Sequence, residues 1–238
     1  VNMDMLANAA ILATNFLAAI VLIAMNKRVF VYFPFPAALT AVHYFFSWGG
    51  VVALRHAGCF EARRVPACQT RTFYALVFSW SSGNALSNVS LDRNSVGFYQ
   101  LAKILVTPSI VAFDALAYRR RPTPTQAAAL MLACAGVGLT SVSDVQLHAI
   151  GAAVACAAVA SSAAQKVINS HMQQIGGLST LQVMDKAFPP MCLLSLLYVP
   201  LLDRDLEKLV SISWLTSESA MAITASAVAG FCATWFVP

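Results

Sequence analysis

The sequence predicts an all-α, polytopic membrane protein, and three observations carry that expectation. Of 238 residues, 59% are hydrophobic and only 11% charged, whereas about a quarter of a soluble domain is charged. The mean hydropathy is +0.70. Apolar runs recur along the chain at roughly 5–25, 35–54, 72–91, 95–117, 124–143, 147–168, 179–201 and 218–238, each near the roughly 20 residues that cross a hydrocarbon core as a helix. Eight spans are expected.

The first run has neither a basic leading end nor a processing site, so it reads as a permanent span. The second leads into "RHAGCFEARRVPACQTR", with Arg55, Arg63, Arg64 and Arg71. In the third, "SWSSGNALSNVS" places Ser81, Asn84 and Asn88 at helical spacing with Ser87 beside them. Ser81 and Asn88 suit bonds to neighbouring helices as well as ligand contact, and Asn84 is the stronger ligand candidate. Asn88-Val89-Ser90 fits the glycosylation pattern but lies at or inside the membrane, so no glycan is expected. The fourth, "NSVGFYQLAKILVTPSIVAF", carries Lys103 about midway and ends at "YRRRPTPTQ" with Arg119, Arg120 and Arg121.

The fifth and sixth runs, "AAALMLACAGVGLTS" and "GAAVACAAVASSAA", are dense in small residues. Small residues at four-residue spacing let helix backbones approach closely, so both are expected to be packing elements. The seventh opens "LQVMDKAFPPM". Its adjacent Asp185 and Lys186 point about 100° apart and are not expected to pair with each other; each either lines a cavity or sits near the headgroups. The chain begins at Val1 without an initiator Met and stops inside its eighth run, which reads as a fragment of a longer protein.

Charge sets an expected topology. The two basic connections fall on one side if every run crosses once, and an excess of Lys and Arg marks the cytosolic side. The short or acidic connections at 91–94, 141–148 and 202–209, the last with Asp203, Asp205 and Glu207, then face a lumen or the exterior. The amino terminus is cytosolic in this arrangement, with Lys27 and Arg28 against the trend. Anionic headgroups beside basic loops account for the net charge of +5 without nucleic acid. Cys59, Cys68 and His56 share one loop at a spacing that matches no common zinc pattern, so no metal is expected; Cys134, Cys156, Cys192 and Cys232 fall in spans as small packing residues.

A faint echo links the ends of the first and sixth runs, Asn26–Lys27 in "IAMNKRV" and Gln165–Lys166 in "SAAQKVI". Inverted repeats leave such traces in transporters. Residues 1–143 would form a first five-helix repeat and 144–238 a second with three of its five helices, leaving eight of ten.

Chemistry concentrates at Lys103. A lysine mid-span costs about 2.5–3.5 kcal/mol on insertion scales, so it persists where it faces a cavity or a partner. Asp114, on the same helix, lies roughly 16 Å away at 1.5 Å per residue, out of reach. Tyr99, Lys103 and Thr107 are four apart and Gln100 three before the lysine, so the four form one polar stripe. Pro108 cannot bond back to Ile104, which frees a carbonyl beside Lys103 and kinks the helix. A lysine among amide, hydroxyl and phenol groups suits an anion that also bears hydroxyls, such as a phosphorylated sugar. No Gly-rich phosphate loop, His–Asp–Ser set or paired carboxylates are present, so neither an enzyme nor a cofactor is expected.

The stretch "GNALSNVSLDRNSVGFYQLAKILVTPSIVAF" closely resembles the third-to-fourth helix region of the nucleotide-sugar and triose-phosphate translocators, of the drug/metabolite transporter superfamily. "MNKRVF", "GVGLTSVSDVQLHAIGAAVACAAVASS" and "LQVMDKAFPP" extend the resemblance over nearly the whole chain, and "NSVGFYQLAK" is most similar to the Golgi UDP-sugar branch. The resemblance implies ten helices in two inverted five-helix repeats, with the family's phosphate-binding lysine at Lys103. Plastid members have histidine where this chain has Asn84, which disfavours triose phosphate. The family's second cationic motif lies in a ninth helix, which this sequence does not include. The activity implied by the resemblance is that of a secondary antiporter that carries a nucleotide sugar, UDP-linked, into the Golgi lumen in exchange for a nucleoside monophosphate. Its implied substrate residues are Lys103, Tyr99, Gln100, Asn84, Ser87 and Thr107. The alternatives are a plastid inner-envelope antiporter of phosphorylated metabolites, residence in the endoplasmic reticulum, and a non-transporting receptor or scaffold. Besides the two nucleotides, membrane lipid is an expected partner, and a homodimer is left open.

Overall fold

A computed structural model describes residues 3–119, 122–142, 149–211 and 214–235. All regular structure among them is helical: α1 (Met3–Tyr32), α2 (Pro36–His56), α3 (Thr70–Arg93), α4 (Val96–Ile104), α5 (Val106–Tyr118), α6 (Pro124–Val142), α7 (Ala149–Gly176), α8 (Thr180–Leu202), α9 (Leu206–Val210) and α10 (Ser217–Trp235), with one 3-10 turn at Ala67–Gln69. Helices satisfy their own backbone groups, which lipid cannot do. Each expected apolar run falls on a helix, the fourth on α4 and α5 together. Arg120, Arg121 and most of the 141–148 connection lie outside the described residues, as does the boundary at 143/144.

On length and composition by themselves, Pro36–His56, Val96–Ala117, Ala149–Gly176 and Thr180–Leu202 are long and apolar enough to cross a membrane. The third expected span, α3, is not in that group because serines and asparagines dilute its apolar residues. α1 and α7 run well past their apolar runs, and the 202–209 connection contains the short α9.

Local sequence explains the helix starts. Ser95 accepts a hydrogen bond from Phe98 N at 3.1 Å to open α4. Ser179 and Gln182 exchange side-chain and backbone bonds as a capping box on α8. Pro36, at the first position of α2, suits a site whose N–H has no partner inside the helix. The cap of α2 comes from far away: the Asp203 carboxylate, just past α8, accepts from Ala37 N at 2.8 Å and Ala38 N at 2.9 Å. A negative group there meets both the free donors and the positive helix end.

Three helix pairs dominate the packing: α3 with α7, α2 with α8, and α1 with α10. One core gathers Tyr44, Leu76, Met172, Phe188 and Met191 from α2, α3, α7 and α8; a second gathers Ile23, Phe35, Leu39, Leu91 and Tyr99 where α1 to α4 converge. Gly83 lets α3 approach α7, since a Cβ there would meet Ser162 N at 3.3 Å. Small residues on α7, among them Ala155, Ala158 and Ala163, are buried as expected of a packing helix. For α6 the expectation needs correction. It touches mainly α4 and α5, leaves Met131, Leu132 and Leu139 exposed, and has open space beside Gly136. Small residues permit close packing but do not supply the neighbour.

Several polar groups inside the bundle are bonded between helices. His43 Nε2 lies 2.7 Å from Ser226 Oγ, whose hydroxyl donates to Asn26 Oδ1 at 2.6 Å. Asn26 Nδ2 donates to Asn88 Oδ1 at 3.3 Å, Asn88 Nδ2 to Thr40 Oγ1 at 2.9 Å, and Thr40 Oγ1 to the Pro36 carbonyl at 2.7 Å. This relay joins α10, α1, α3 and α2. Ser81 pairs with Ser195 at 2.9 Å and Ser82 with Tyr198 at 2.7 Å, tying α3 to α8. Asn88 and Ser81 therefore serve helix association, and Asn88 is too enclosed to receive a glycan. Asn88→Ala should lower the thermal stability of the detergent-solubilised protein by about 1–2 kcal/mol, because Asn26 and Thr40 lose their partner in a dry interior. An unchanged melting curve would mean the relay contributes nothing.

The expectation that Asp185 and Lys186 do not pair is also corrected. Lys186 Nζ lies 2.7 Å from Asp185 Oδ2, and Arg55 Nη1 reaches Asp185 Oδ1 at 2.8 Å. The lysine stem is long enough to bend back across the angle between adjacent positions, and the Asp185 side chain, 1% exposed, needs both cations.

Candidate functional site

The site begins with the break in the fourth span. Pro108 offers no N–H to Ile104, and the hydrogen-bond pattern tightens there: Leu105 N bonds to Ala102 O at 3.1 Å, then Ser109 N to Leu105 O at 3.1 Å. α4 ends and α5 begins around Leu105, as the proline predicts. Lys103 consequently occupies the last turn of α4, at the carbonyl end of a half-helix where a cation is favoured.

Lys103 Nζ sits 5.0 Å from the centroid of the Tyr99 ring one turn earlier, a cation–π contact. Tyr99 is buried against α1 and α2, which fixes the ring as a platform for the ammonium. Ser87 of α3, Tyr99 and Lys103 of α4, Val106 of α5 and Ser162 of α7 line one cleft. Its capacity of about 20 Å³ suits about one water molecule. A larger ligand requires the helices around it to part.

Lys27, Arg55 and Lys186 have partners within the protein. Lys27 Nζ donates to the carbonyls of Leu91, Asp92 and Asn94 at 2.6, 3.1 and 3.1 Å, closing the end of α3. Arg55 and Lys186 share Asp185. Among the described residues, no carboxylate lies within ion-pair distance of Lys103. Its partner is an aromatic face, which leaves the charge available to an anion.

The remaining expected site residues divide. Ser87 shares the cleft with Tyr99 and Lys103. Asn84, one turn earlier on α3, is exposed and donates from Nδ2 to the Tyr44 hydroxyl at 3.0 Å, which in turn donates to Trp80 O at 3.2 Å. Gln100 is half-buried on α4, and Thr107 is exposed beyond the break; neither lines the cleft with Lys103. The break expected from Pro108 falls between Lys103 and Thr107.

Sequence reasoning overlooked Lys166. It lies on α7, one turn beyond Ser162, and its charge is an electrostatic neighbour of Lys103. The sequence registered it as half of an internal echo at the end of the sixth apolar run.

Comparison with known proteins adds two findings. Residues 6–233 match the model of the Triose-phosphate Transporter family. The chain is similar to "Nucleotide-sugar uncharacterized transporter 1" of Arabidopsis thaliana, 37% identical over 229 residues, covering 94% of this chain and 57% of that protein. It is similar to "Nucleotide-sugar uncharacterized transporter 2" of the same plant at 34% over 229 residues, 93% of this chain and 56% of that protein. "UDP-rhamnose/UDP-galactose transporter 2", also of Arabidopsis thaliana, is 27% identical over 202 residues, 84% of this chain and 57% of its own length. The chain thus spans a little over half the length of these curated relatives.

Proposed function

This chain belongs to the Triose-phosphate Transporter family, and on that premise we propose that it is part of a secondary antiporter that moves a UDP-linked sugar into the Golgi lumen in exchange for a nucleoside monophosphate. The observation that carries the reading is Lys103, a cation in a membrane span that rests on the Tyr99 ring with no acid paired to it among the described residues. An ammonium in that setting attracts the phosphates of the cargo. Tyr99 and Gln100 orient the ligand, Asn84 and Ser87 contact base or sugar, and Thr107 extends the polar path past the break. The names of the relatives, nucleotide-sugar and UDP-sugar transporters, support this cargo over triose phosphate.

Alternating access rocks one repeat against the other around a midplane site. The packing supports repeats at 1–143 and 144–238. Exchanging each of the first three spans with its counterpart five spans later turns the α1–α10 pair into the α7–α3 pair and leaves α2–α8 as itself. Narrowness of the cleft at Lys103 fits an occluded arrangement.

The test is exchange by the full-length protein in proteoliposomes. Labelled UDP-sugar should accumulate in vesicles loaded with UMP and not in vesicles loaded with inorganic phosphate. The reverse preference would make the protein a phosphate-exchanging carrier of the plastid type, and uptake of neither cargo would remove the transport reading. Asn84→His should lower UDP-sugar uptake and raise sugar-phosphate exchange, since it installs the residue that plastid carriers have there. Unchanged selectivity would take Asn84 out of the site.

A further inference from the structure

The cleft at Lys103 has a continuation. One turn along the same interface, Ile110 and Asp114 of α5 face Lys166, Ser170, His171 and Gln174 of α7 across a second cleft of about 120 Å³. The two are consecutive: Val106 and Ser162 line the first, and Ile110 and Lys166, each four residues on, line the second. Together they form a groove between α4–α5 and α7 with a lysine in each half.

Lys166 lies near the end of the sixth apolar run, ten residues before α7 ends. No carboxylate within ion-pair distance is found for it among the described residues, although Asp114 lines the same cleft. The nearby Lys103 charge repels it. Two neighbouring ammonium groups raise each other's energy, and one ligand that carries two negative groups relieves both. The neutral and acidic neighbours at the Lys166 end, Asp114, Ser170 and Gln174, are suited to sugar hydroxyls rather than to a further charge.

We propose that Lys166 binds the second phosphate of a nucleoside diphosphate sugar, so that the groove distinguishes diphosphate from monophosphate. The inference rests on the nucleotide-sugar reading above. The nucleoside end lies toward Tyr99 and Ser87, its phosphate at Lys103, the second phosphate at Lys166, and the sugar toward Asp114 and Gln174. A nucleoside monophosphate engages Lys103 and leaves Lys166 unused, which favours release of the returning cargo over the incoming one.

The experiment uses the full-length carrier in proteoliposomes, with unlabelled UDP and UMP as competitors of labelled UDP-sugar uptake, and thermal stabilisation by UDP and by UMP in detergent as a separate binding readout. Lys166→Gln should raise the half-inhibiting concentration of UDP at least about tenfold and shift that of UMP by less than about twofold. The loss for UDP should grow from Lys166→Arg through Lys166→Gln to Lys166→Glu, a ranking that stands even if one variant folds poorly. Equal losses for UDP and UMP, or no loss for either, would overturn the assignment. UDP-selective stabilisation that depends on Lys166 without any transport would retain the site and reject the carrier reading; a wild-type protein that binds neither nucleotide would end both.

Discussion

Replacing Lys103 with alanine in the full-length protein is expected to cut nucleotide-sugar exchange at least about tenfold, equivalent to roughly 1.4 kcal/mol of lost anion interaction, while membrane insertion stays intact or improves slightly. Insertion improves because a charge that costs about 2.5–3.5 kcal/mol at a helix centre is removed. Exchange falls because no other described cation lines the cleft with Tyr99 and Ser87. Lys103→Arg should rescue poorly: the planar guanidinium has a different reach and shape from an ammonium placed 5.0 Å from an aromatic centroid. Rates must be compared at equal amounts of monodisperse carrier. If Lys103→Ala instead unfolded the protein and removal of an acid restored it, the lysine would be half of a structural ion pair. Asp185, a buried acid of α8, is already held by Arg55 at 2.8 Å and Lys186 at 2.7 Å, so Asp185→Asn should not rescue Lys103→Ala.

The second large effect is expected at Asp185 itself. Its side chain is 1% exposed, while those of Arg55 and Lys186 are 33% and 35% exposed. Removing one partner of a fully buried pair costs about 3–5 kcal/mol. Here the two stranded cations keep some water, so Asp185→Ala should cost about 2–3 kcal/mol, read as a drop of several degrees in the melting temperature of the purified protein. Arg55→Ala should cost less, since Lys186 still neutralises the carboxylate. A larger loss for Arg55→Ala than for Asp185→Ala would show that the acid is not the centre of the triad. The effect should fall on stability, with exchange per folded molecule retained, which separates Asp185 from Lys103.

Much of the fold was legible because lipid imposes a simple rule on sequence: a backbone in hydrocarbon must bond to itself, so apolar length converts directly to helix. Helix ends were less legible. α1 continues to Tyr32 past its apolar run because Lys27 finds three carbonyls at the end of α3, residues 91, 92 and 94, that a one-dimensional reading cannot place beside it. The break near Leu105 followed from Pro108, a covalent property of one residue. Thr107 lies beyond that break and does not line the cleft with Tyr99 and Lys103, since four-residue spacing marks one face only while the helix is continuous.

Asparagines and serines in α3 show the same division. Sequence spacing grouped Ser81, Asn84 and Asn88, yet Ser81 is bonded to Ser195, Asn88 to Asn26 and Thr40, and Asn84 to Tyr44. Which neighbours these amides meet depends on how α3 seats against α1, α2 and α8.

By itself the sequence determined the helical class, the approximate positions of the helices, the broken fourth helix and the presence of a costly lysine within it, because each follows from local composition or from the chemistry of a single residue. Only the tertiary structure decided that Asp185 belongs to Arg55 and Lys186, that Tyr99 lies under Lys103 in a cleft shared with Ser87, and that Lys166 lies one turn further along the same groove. Arg55 with Asp185, and Lys166 with the α4–α5 side of the groove, join residues dozens of positions apart, and helix packing, which depends on the shapes of facing side chains rather than on periodicity along the chain, brings them together.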